Sequence, residues 1–324
     1  MADVIFHTHA TADTGFGHAA RCGRLAGLLA SARSGCAIVF EGDFDDGART
    51  SLTSLVPLTI ATGGETARLG IYDRMDDIED PEAWSPERLD DLRGRCTRVV
   101  FLANGIHRPG VPADVTVIGY KPGGPTSAPP KMHWGLDFAP VAPMAAEGIV
   151  PGESDRALLA LGGARGPGGA RTALQALSMV EQIKNIDVLV SPVNQVEPSR
   201  DWVRTDQTLT SHRGVPSVAP LIARAGIVLA SYGHLGYETL ALGRPLCLVG
   251  QKAFQADYAE RLAAAGLCVA AGRLDSLDAT TLAAALRQTL AAADDMSVAA
   301  RASVDDRGLD RIAALLGELL DEEA

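Results

Sequence analysis

The chain has 324 residues, a length that fits two domains of about 150 residues better than one. Apolar residues make up 47% and charged residues 21%, a globular composition that excludes a disordered chain. The formal net charge of −11 disfavours binding to a nucleic-acid backbone or to an anionic membrane surface, because both depend on clustered Lys and Arg.

The cysteines and the first residues bear on the cellular compartment. The five cysteines are odd in number and form no Cys-x-x-Cys pair, which indicates reduced thiols rather than a disulfide framework or a zinc site. The start, MADVIFHTHATAD, lacks the basic and apolar regions of a signal peptide. No apolar run approaches the roughly 20 residues of a membrane span. We therefore expect a cytoplasmic protein.

In the first half, apolar runs of strand length alternate with helical or loop segments. His18–Arg33 is a predicted helix, with leucines on one face. The predicted strands are Asp3–Thr8, Cys36–Glu41, Leu55–Ile60, Leu69–Tyr72, Val99–Ala103 and Val115–Tyr120. Pro and Gly predict a long loop at Lys121–Pro130, and Ala145–Asp155 is the best linker candidate.

The same alternation restarts after the linker. The predicted strands are Ala157–Gly162, Ile186–Ser191, Ile227–Ser231, Leu246–Val249 and Cys268–Ala271. The predicted helices are Gly169–Gln182, Val218–Ala225, Leu235–Leu242, Ala256–Ala265, Ala279–Ala292 and Gly308–Leu320. This pattern predicts an α/β fold of two Rossmann-like domains with parallel sheets, residues 1–150 and 151–324, and a ligand site in the cleft between them.

The first motif joins the first strand to the first long helix. Gly15 and Gly17 let the backbone approach a ligand, and the helix N-terminus suits a phosphate or a developing anion. His18 follows them, and its pKa near neutrality suits a general base. The alternative is a first-turn histidine hydrogen-bonded to a loop.

The same glycines also fit a relaxed dinucleotide fingerprint. Gly15, Gly17 and Ala20 have the spacing, and Glu41 ends the next predicted strand. However, the segment 10–14 separates the first strand from Gly15, whereas the fingerprint places its first glycine at the strand end. This spacing disfavours NAD binding.

The second motif is the Gly-rich segment from Leu161 to Gly169. It is not a phosphate-binding P-loop, because Gly169-Ala170 stands where Lys-Ser/Thr is required. Gly163 is a candidate contact for a pyrophosphate or a sugar, and a simple Gly-rich turn is an equal alternative.

The third motif runs from Ser231 to Glu238, where a predicted strand ends and a helix begins. The exposed N–H groups of such a turn suit a diphosphate, and Glu238 is placed to bind a ribose diol or simply to complement the helix dipole. Gln255 stands at the next helix start, where it is also an ordinary capping residue. The candidate contacts are Ser231, Gly233, His234, Leu235, Tyr237, Glu238 and Gln255.

Three further side chains are candidates for catalysis or metal binding. Asp73 follows a strand and is a candidate catalytic group, with a loop or capping aspartate as the alternative. His7 and His9 share one strand face, but two ligands without a third make a weak metal site.

The segment GFGHAARCGRLA, residues 15–26, resembles the N-terminal motif of the UDP-sugar hydrolases of pseudaminic acid biosynthesis, a pattern shared by spore-coat polysaccharide proteins and related GT-B enzymes. Segments at 135–140, 161–163, 231–238 and 243–262 match in the same order. The resemblance implies a GT-B architecture with UDP on the C-terminal domain and the final helix packing back on the N-terminal one.

The resemblance also implies residue roles. His18 would be the general base that activates water, and Ser231, Gly233, Glu238 and Gln255 would hold the nucleotide or sugar. Asp73 remains the second catalytic candidate, and Gly15, Gly17 and Arg21 of the first motif are further binding candidates. No metal or cofactor is implied.

Departures from the family pattern keep three functions open. Asp73-Arg74-Met75 stands where the family has Asp-x-Tyr, Asn104 stands where paired aspartates are common, and Tyr237 replaces a smaller polar residue. The leading prediction is a hydrolase that releases UDP from a UDP-amino-sugar. The alternatives are a GT-B glycosyltransferase, with a glycan or protein acceptor, and a non-catalytic nucleotide-sugar-binding homologue.

Overall fold

A computed structural model describes residues 1–11, 13–55, 59–61, 63–77, 83–103, 111–119, 131–141, 152–162, 167–190 and 197–322. The chain divides into two compact units, Met1–Pro143 with Arg307–Ala324, and Met144–Asp306. The predicted domain border at 150/151 and the predicted loop Lys121–Pro130 lie outside the described residues.

The described residues of the first unit form a parallel sheet of seven strands in the order β3-β2-β1-β4-β5-β6-β7. The strands are β1 (Ala2–Ala10), β2 (Ile38–Phe44), β3 (Thr59–Ala61), β4 (Ala67–Asp73), β5 (Cys96–Ala103), β6 (Val115–Ile118) and β7 (Met132–Trp134). The helices between them are α1 (Gly17–Ala32), α2 (Asp46–Leu55) and α3 (Pro86–Arg95).

The described residues of the second unit form a six-stranded parallel sheet in the order β10-β9-β8-β11-β12-β13. Its strands are β8 (Glu153–Ala160), β9 (Asn185–Leu189), β10 (Thr208–His212), β11 (Ala225–Ser231), β12 (Leu246–Gly250) and β13 (Val269–Arg273). Its helices are α4 (Pro167–Ser178), α5 (Ala219–Arg224), α6 (His234–Ala241), α7 (Ala253–Ala264), α8 (Ala279–Ala291) and α9 (Ala293–Ser303). The last helix, α10 (Gly308–Asp321), belongs to the first unit.

Small residues and arginines attach α10 to the first unit. A side chain at Gly308 would collide with the carbonyl oxygen of Ala139, 1.7 Å from the position of its Cβ, so only glycine allows this approach. At the other end, Arg33 donates to the carbonyl oxygen of Gly317 at 2.7 Å, and Arg68 donates to that of Leu320. Arg68 thereby satisfies a carbonyl group that the end of the helix leaves without a partner.

Two predicted segments differ from the structure. Leu55–Ile60 was predicted as one strand, but Leu55 ends α2, and the strand β3 begins only at Thr59. Ala48 and Leu52 are buried one turn apart, which gives α2 an apolar face toward the core. The predicted linker, Ala145–Asp155, was wrong at its end, since β8 begins at Glu153. Arg156 pairs there with Glu153 at 2.7 Å, and charged residues of this kind interrupt the apolar pattern by which a strand is predicted.

The sheet of the first unit brings three strand ends together. Thr8 of β1 pairs with Asp73 at the end of β4, and His9 pairs with Asp43 of β2. Parallel strands place their carboxyl ends at one edge of a sheet, where ligands of such folds bind. Within the described part of the chain, no helix combines the length and apolarity needed to cross a bilayer.

Candidate active site

Three side chains on α1 converge on Asp73, the last residue of β4. His18, Arg21 and Cys22 follow the spacing i, i+3 and i+4, which places them on one helix face. His18 Nδ1 lies 2.7 Å from Asp73 Oδ1, and Arg21 Nε donates to Oδ2 at 2.5 Å. Arg21 Nη2 also donates to Oδ1, and the Cys22 thiol donates to Oδ2 at 3.1 Å.

This geometry assigns the protons of His18. A carboxylate only accepts hydrogen bonds, so the proton of the imidazole lies on Nδ1 and points at Asp73, which leaves the lone pair of Nε2 for a substrate proton. Asp73 is completely buried, whereas 13% of the His18 side chain is exposed. Asp73 therefore orients His18 and does not itself meet a substrate.

The electrostatics keep Asp73 ionised and His18 neutral. Burial opposes the charge on Asp73, but Arg21 and His18 hold the pKa of its carboxyl group well below the ordinary value. Burial also lowers the pKa of His18 below 6.5; the Asp73 carboxylate opposes this effect, and Arg21 adds to it. Burial and Asp73 together raise the pKa of the Cys22 thiol, so Cys22 remains a neutral donor.

The loop before α1 is closed by its own polar groups. The hydroxyls of Thr11 and Thr14 lie 3.0 Å apart, and the N–H of Gly15 donates to the carbonyl oxygen of Thr11 at 2.8 Å. Gly15 has φ +77°, a conformation that favours glycine. Gly17 begins the helix, whose first turn carries neither a side-chain cap nor an acidic residue. The structure thus places both glycines at the N-terminus of the helix that carries His18.

Further buried ion pairs of the first unit were not predicted. Arg74 is buried and donates to Asp43 and Asp76, each at 2.8 Å. Glu41 is also buried and accepts both guanidinium arms of Arg95, at 2.8 and 3.0 Å. Since the dinucleotide reading needs Glu41 for a ribose, this pairing counts against it.

The histidines proposed as a weak metal site belong to separate clusters. His7 lies 3.3 Å from Arg74, while His9 packs against His18. Among the described residues, no group of three or more His, Cys, Asp or Glu side chains is arranged to hold a metal ion.

In the second unit, neutral side chains tie the strand ends together. The Ser231 hydroxyl donates to the carbonyl oxygen of Leu161 at 3.0 Å and accepts from Gln251 Nε2 at 2.7 Å. Gln255 accepts the N–H groups of Gln251 at 2.8 Å and of Lys252 at 3.1 Å. Gln251 thus links Ser231 and Gln255, two of the predicted contacts, and it was not itself predicted because an isolated glutamine gives no sequence signal.

The remaining predicted contacts lie on or near α6. His234 Nε2 is 3.1 Å from Glu238 Oε1, one turn along the helix, and Gly233 and the half-buried Leu235 flank His234. Tyr237 instead lies in the core, completely buried, with its hydroxyl 2.9 Å from that of Tyr232.

Two of the predicted binding residues have other partners in the structure. Tyr237 shares the inward face of α6 with Leu240, so its side chain supports packing and presents no surface to a ligand. Arg21, predicted to bind nucleotide or sugar, is committed to Asp73. Gly163 lies outside the described residues.

Comparisons with known proteins agree on the fold. No protein-family model matches the chain, and no curated protein gives a significant match. The calicheamicin glycosyltransferase CalG4 aligns with a TM-score of 0.65 and 14% identity over 100% of this chain and 99% of its own. MurG of Acinetobacter baumannii aligns with a TM-score of 0.63 and 14% identity over 98% of this chain and 99% of its own.

The spinosyn rhamnosyltransferase SpnG is a third such structure, with a TM-score of 0.59 and 14% identity over 96% of this chain and 100% of its own. These similarities confirm the predicted fold class, a GT-B fold of two Rossmann-like units with parallel sheets. At this level of identity they extend to the fold alone, and they give no support to the narrower resemblance to hydrolases of pseudaminic acid biosynthesis.

Proposed function

We propose that this chain is a GT-B glycosyltransferase that transfers a sugar from a nucleoside diphosphate to an acceptor hydroxyl, with His18 as the general base. The observation that carries the proposal is the contact of 2.7 Å between His18 Nδ1 and the buried carboxylate of Asp73. That contact holds a neutral imidazole in the tautomer that accepts a proton at Nε2.

The proposed step is a single displacement. His18 Nε2 takes the proton of the acceptor hydroxyl while the hydroxyl oxygen bonds to the anomeric carbon. The bond from that carbon to the diphosphate oxygen breaks, the nucleoside diphosphate leaves with the electron pair, and the configuration at the anomeric carbon inverts. Asp73, which is ionised, stabilises the imidazolium that forms on His18.

The second unit is the proposed nucleotide-binding unit. The N-terminus of α6, beginning at His234, offers N–H groups and a partial positive charge that suit the diphosphate. Glu238 is the proposed acceptor for the ribose hydroxyls, and Ser231 and Gln255 lie at neighbouring strand ends. The ligand in a solved SpnG complex is thymidine diphosphate, so both uridine and thymidine donors belong in the test.

The acceptor hydroxyl distinguishes this proposal from the hydrolase reading. The same base would activate water equally well, but the similar folds belong to enzymes named as glycosyltransferases. A complete His18–Asp73 pair also favours catalysis over a non-catalytic binding role. The five cysteines are free, which supports the proposal of a reducing, cytoplasmic compartment.

The direct test is release of nucleoside diphosphate from UDP- and TDP-sugars, with and without a panel of hydroxyl acceptors. We expect release that requires an acceptor, and a loss of kcat of about 10²- to 10⁴-fold in His18→Gln. UDP affinity, measured by calorimetry, should be unchanged in that variant.

The matched control is His212→Gln, because His212 also contacts an aspartate, Asp187, at 2.7 Å, but lies in the second unit. The control should retain full activity. Release without any acceptor would favour the hydrolase, and turnover that survives His18→Gln would refute the proposed role of His18.

A further inference from the structure

His9 is a second buried imidazole beside His18, and the proposed reaction does not use it. The two rings meet edge to face, with centroids 4.8 Å apart and planes at 76°. Only 2% of His9 is exposed, and its Nε2 accepts the backbone N–H of Met75 at 3.4 Å. Both contacts come from one side chain of β1, the strand next to β4.

These contacts define the protonation state of His9. Because Nε2 accepts a hydrogen bond, the proton of the neutral ring lies on Nδ1. A second proton would break the bond to Met75 and place a buried cation near Arg74. Burial, and then the neighbouring His18 and Arg74, lower the pKa of His9 to about 2. His9 is therefore neutral at physiological pH and is not a second proton acceptor.

The position of Met75 gives the contact its consequence. Met75 lies two residues after Asp73, in the segment that leaves β4. His9 thus packs against the ring of His18 and also accepts a hydrogen bond from the chain that carries the carboxylate orienting that ring. A displacement of His9 would disturb both partners of the His18–Asp73 pair.

We propose that His9 is a positioning residue that fixes the ring plane of His18 and excludes water from one side of it. Only the kinetic consequence of this role rests on the proposed glycosyltransferase function. The charged and titratable groups that face His18 are Asp73 from β4, Arg21 and Cys22 from α1, Arg74 from the segment after β4, and His9 itself.

The test titrates His18 by NMR in protein labelled at the histidine rings. The chain has seven histidines, and His18→Gln identifies the His18 signal. In His9→Ala, water reaches the His18 ring, so we expect the pKa of His18 to rise toward 6.5. His9→Phe keeps an aromatic wall, and the pKa should stay near the wild-type value. His9→Gln keeps an acceptor for the Met75 N–H without the wall, so the pKa should rise.

The kinetic arm measures kcat and KM separately. His9→Ala should lower kcat roughly tenfold or more, because a displaced base loses its near-attack geometry, while KM for the donor stays unchanged. His133→Phe is the control: this histidine of β7 packs on Phe138, and its replacement should change neither readout.

Two results would overturn the role of His9. One is an unchanged His18 titration and an unchanged kcat in both His9→Ala and His9→Gln. The other is a rise in the pKa of His18 in His9→Phe as large as that in His9→Ala, which would mean that the aromatic wall is irrelevant.

Should His9→Ala fail to fold, His9→Gln and His9→Phe carry the comparison. Because the titration needs no substrate, a shifted His18 signal with no turnover even in wild-type protein would refute the glycosyltransferase and leave the positioning role standing.

Discussion

The two units each contain a cluster of histidine, aspartate and arginine, and the clusters differ in where the fold places them. In the first unit, Asp73 accepts His18 at 2.7 Å and the guanidinium of Arg21. In the second unit, Asp187 accepts His212 at 2.7 Å and Arg156 at 2.8 Å. Residue types and distances are nearly the same.

Position and tautomer separate these two clusters. Asp73 ends the central strand β4 beside the N-terminus of α1, whereas Asp187 lies in the middle of β9 and contacts a histidine on the edge strand β10. His18 uses Nδ1 for the carboxylate and leaves Nε2, while His212 uses Nε2. A His–Asp pair is therefore a candidate for catalysis when its aspartate lies at the carboxyl end of a strand, where ligands of such sheets bind. A pair such as Asp187 with His212 instead links two neighbouring strands.

Replacing each aspartate by asparagine tests most directly whether the two His–Asp pairs differ in function. Asp73→Asn leaves the shape of the site but lets His18 adopt the wrong tautomer, so kcat/KM should fall about 10³-fold or more. Asp187→Asn should leave kcat/KM within about twofold of wild type, because its histidine lies outside the proposed site. The kcat/KM of both variants is measured by the release of nucleoside diphosphate.

Equal losses of kcat/KM in the two asparagine variants would mean that both act through folding and that neither pair is catalytic. Circular dichroism and thermal unfolding on the same samples separate that case. The predicted result is a selective kinetic defect in Asp73→Asn with the fold retained.

The sequence alone predicts one side of the first cluster much better than the other. The periodic helix and its preceding glycines place His18 at a helix N-terminus, and the structure begins α1 at Gly17, within one residue of the prediction. That Arg21 and Cys22 serve Asp73 is not visible, because 52 and 51 residues separate them, and only the pairing of β1 with β4 brings them together.

Local patterns also cannot tell which face of a helix points inward when most of its residues are apolar. Tyr237, one of the contacts predicted from the third motif, packs in the core. The second cluster gives no signal at all, since His212 and Asp187 meet across neighbouring strands, 25 residues apart in the chain.

The arginines test whether the two clusters differ in burial as well as in chemistry. Arg21 is 4% exposed, so Arg21→Met strands a buried carboxylate and should lower the free energy of unfolding by about 3 kcal/mol at pH 8. The side chain of Arg156 is more exposed, at 15%, and Arg156→Met should cost about 1 kcal/mol. Urea denaturation measures both losses.

The loss in Arg21→Met should shrink at pH 5.5. Without the guanidinium, the pKa of His18 rises, and the protonated ring then neutralises Asp73. A deficit that is the same at both pH values would show that Arg21 stabilises the fold through packing rather than charge.

A further effect concerns the two neutral imidazoles of the first unit between pH 6.5 and 5. The pKa of His9 is lowered to about 2 and that of His18 lies below 6.5, whereas both rings titrate near 6.5 in the unfolded chain. The unfolded state therefore binds more protons, and stability present above pH 6.5 is lost as the pH falls, by about 1.4 kcal/mol per pH unit for each ring that stays neutral in the folded state.

His9→Phe removes one titrating ring, so the slope of unfolding free energy against pH should be shallower by that amount. Buried carboxylates such as Glu41, with a pKa of about 2, change their charge in the unfolded chain only at lower pH, which confines this window to the histidines. Parallel slopes for wild type and His9→Phe would mean that His9 takes up a proton in the folded state, and the neutral wall against His18 would then not exist.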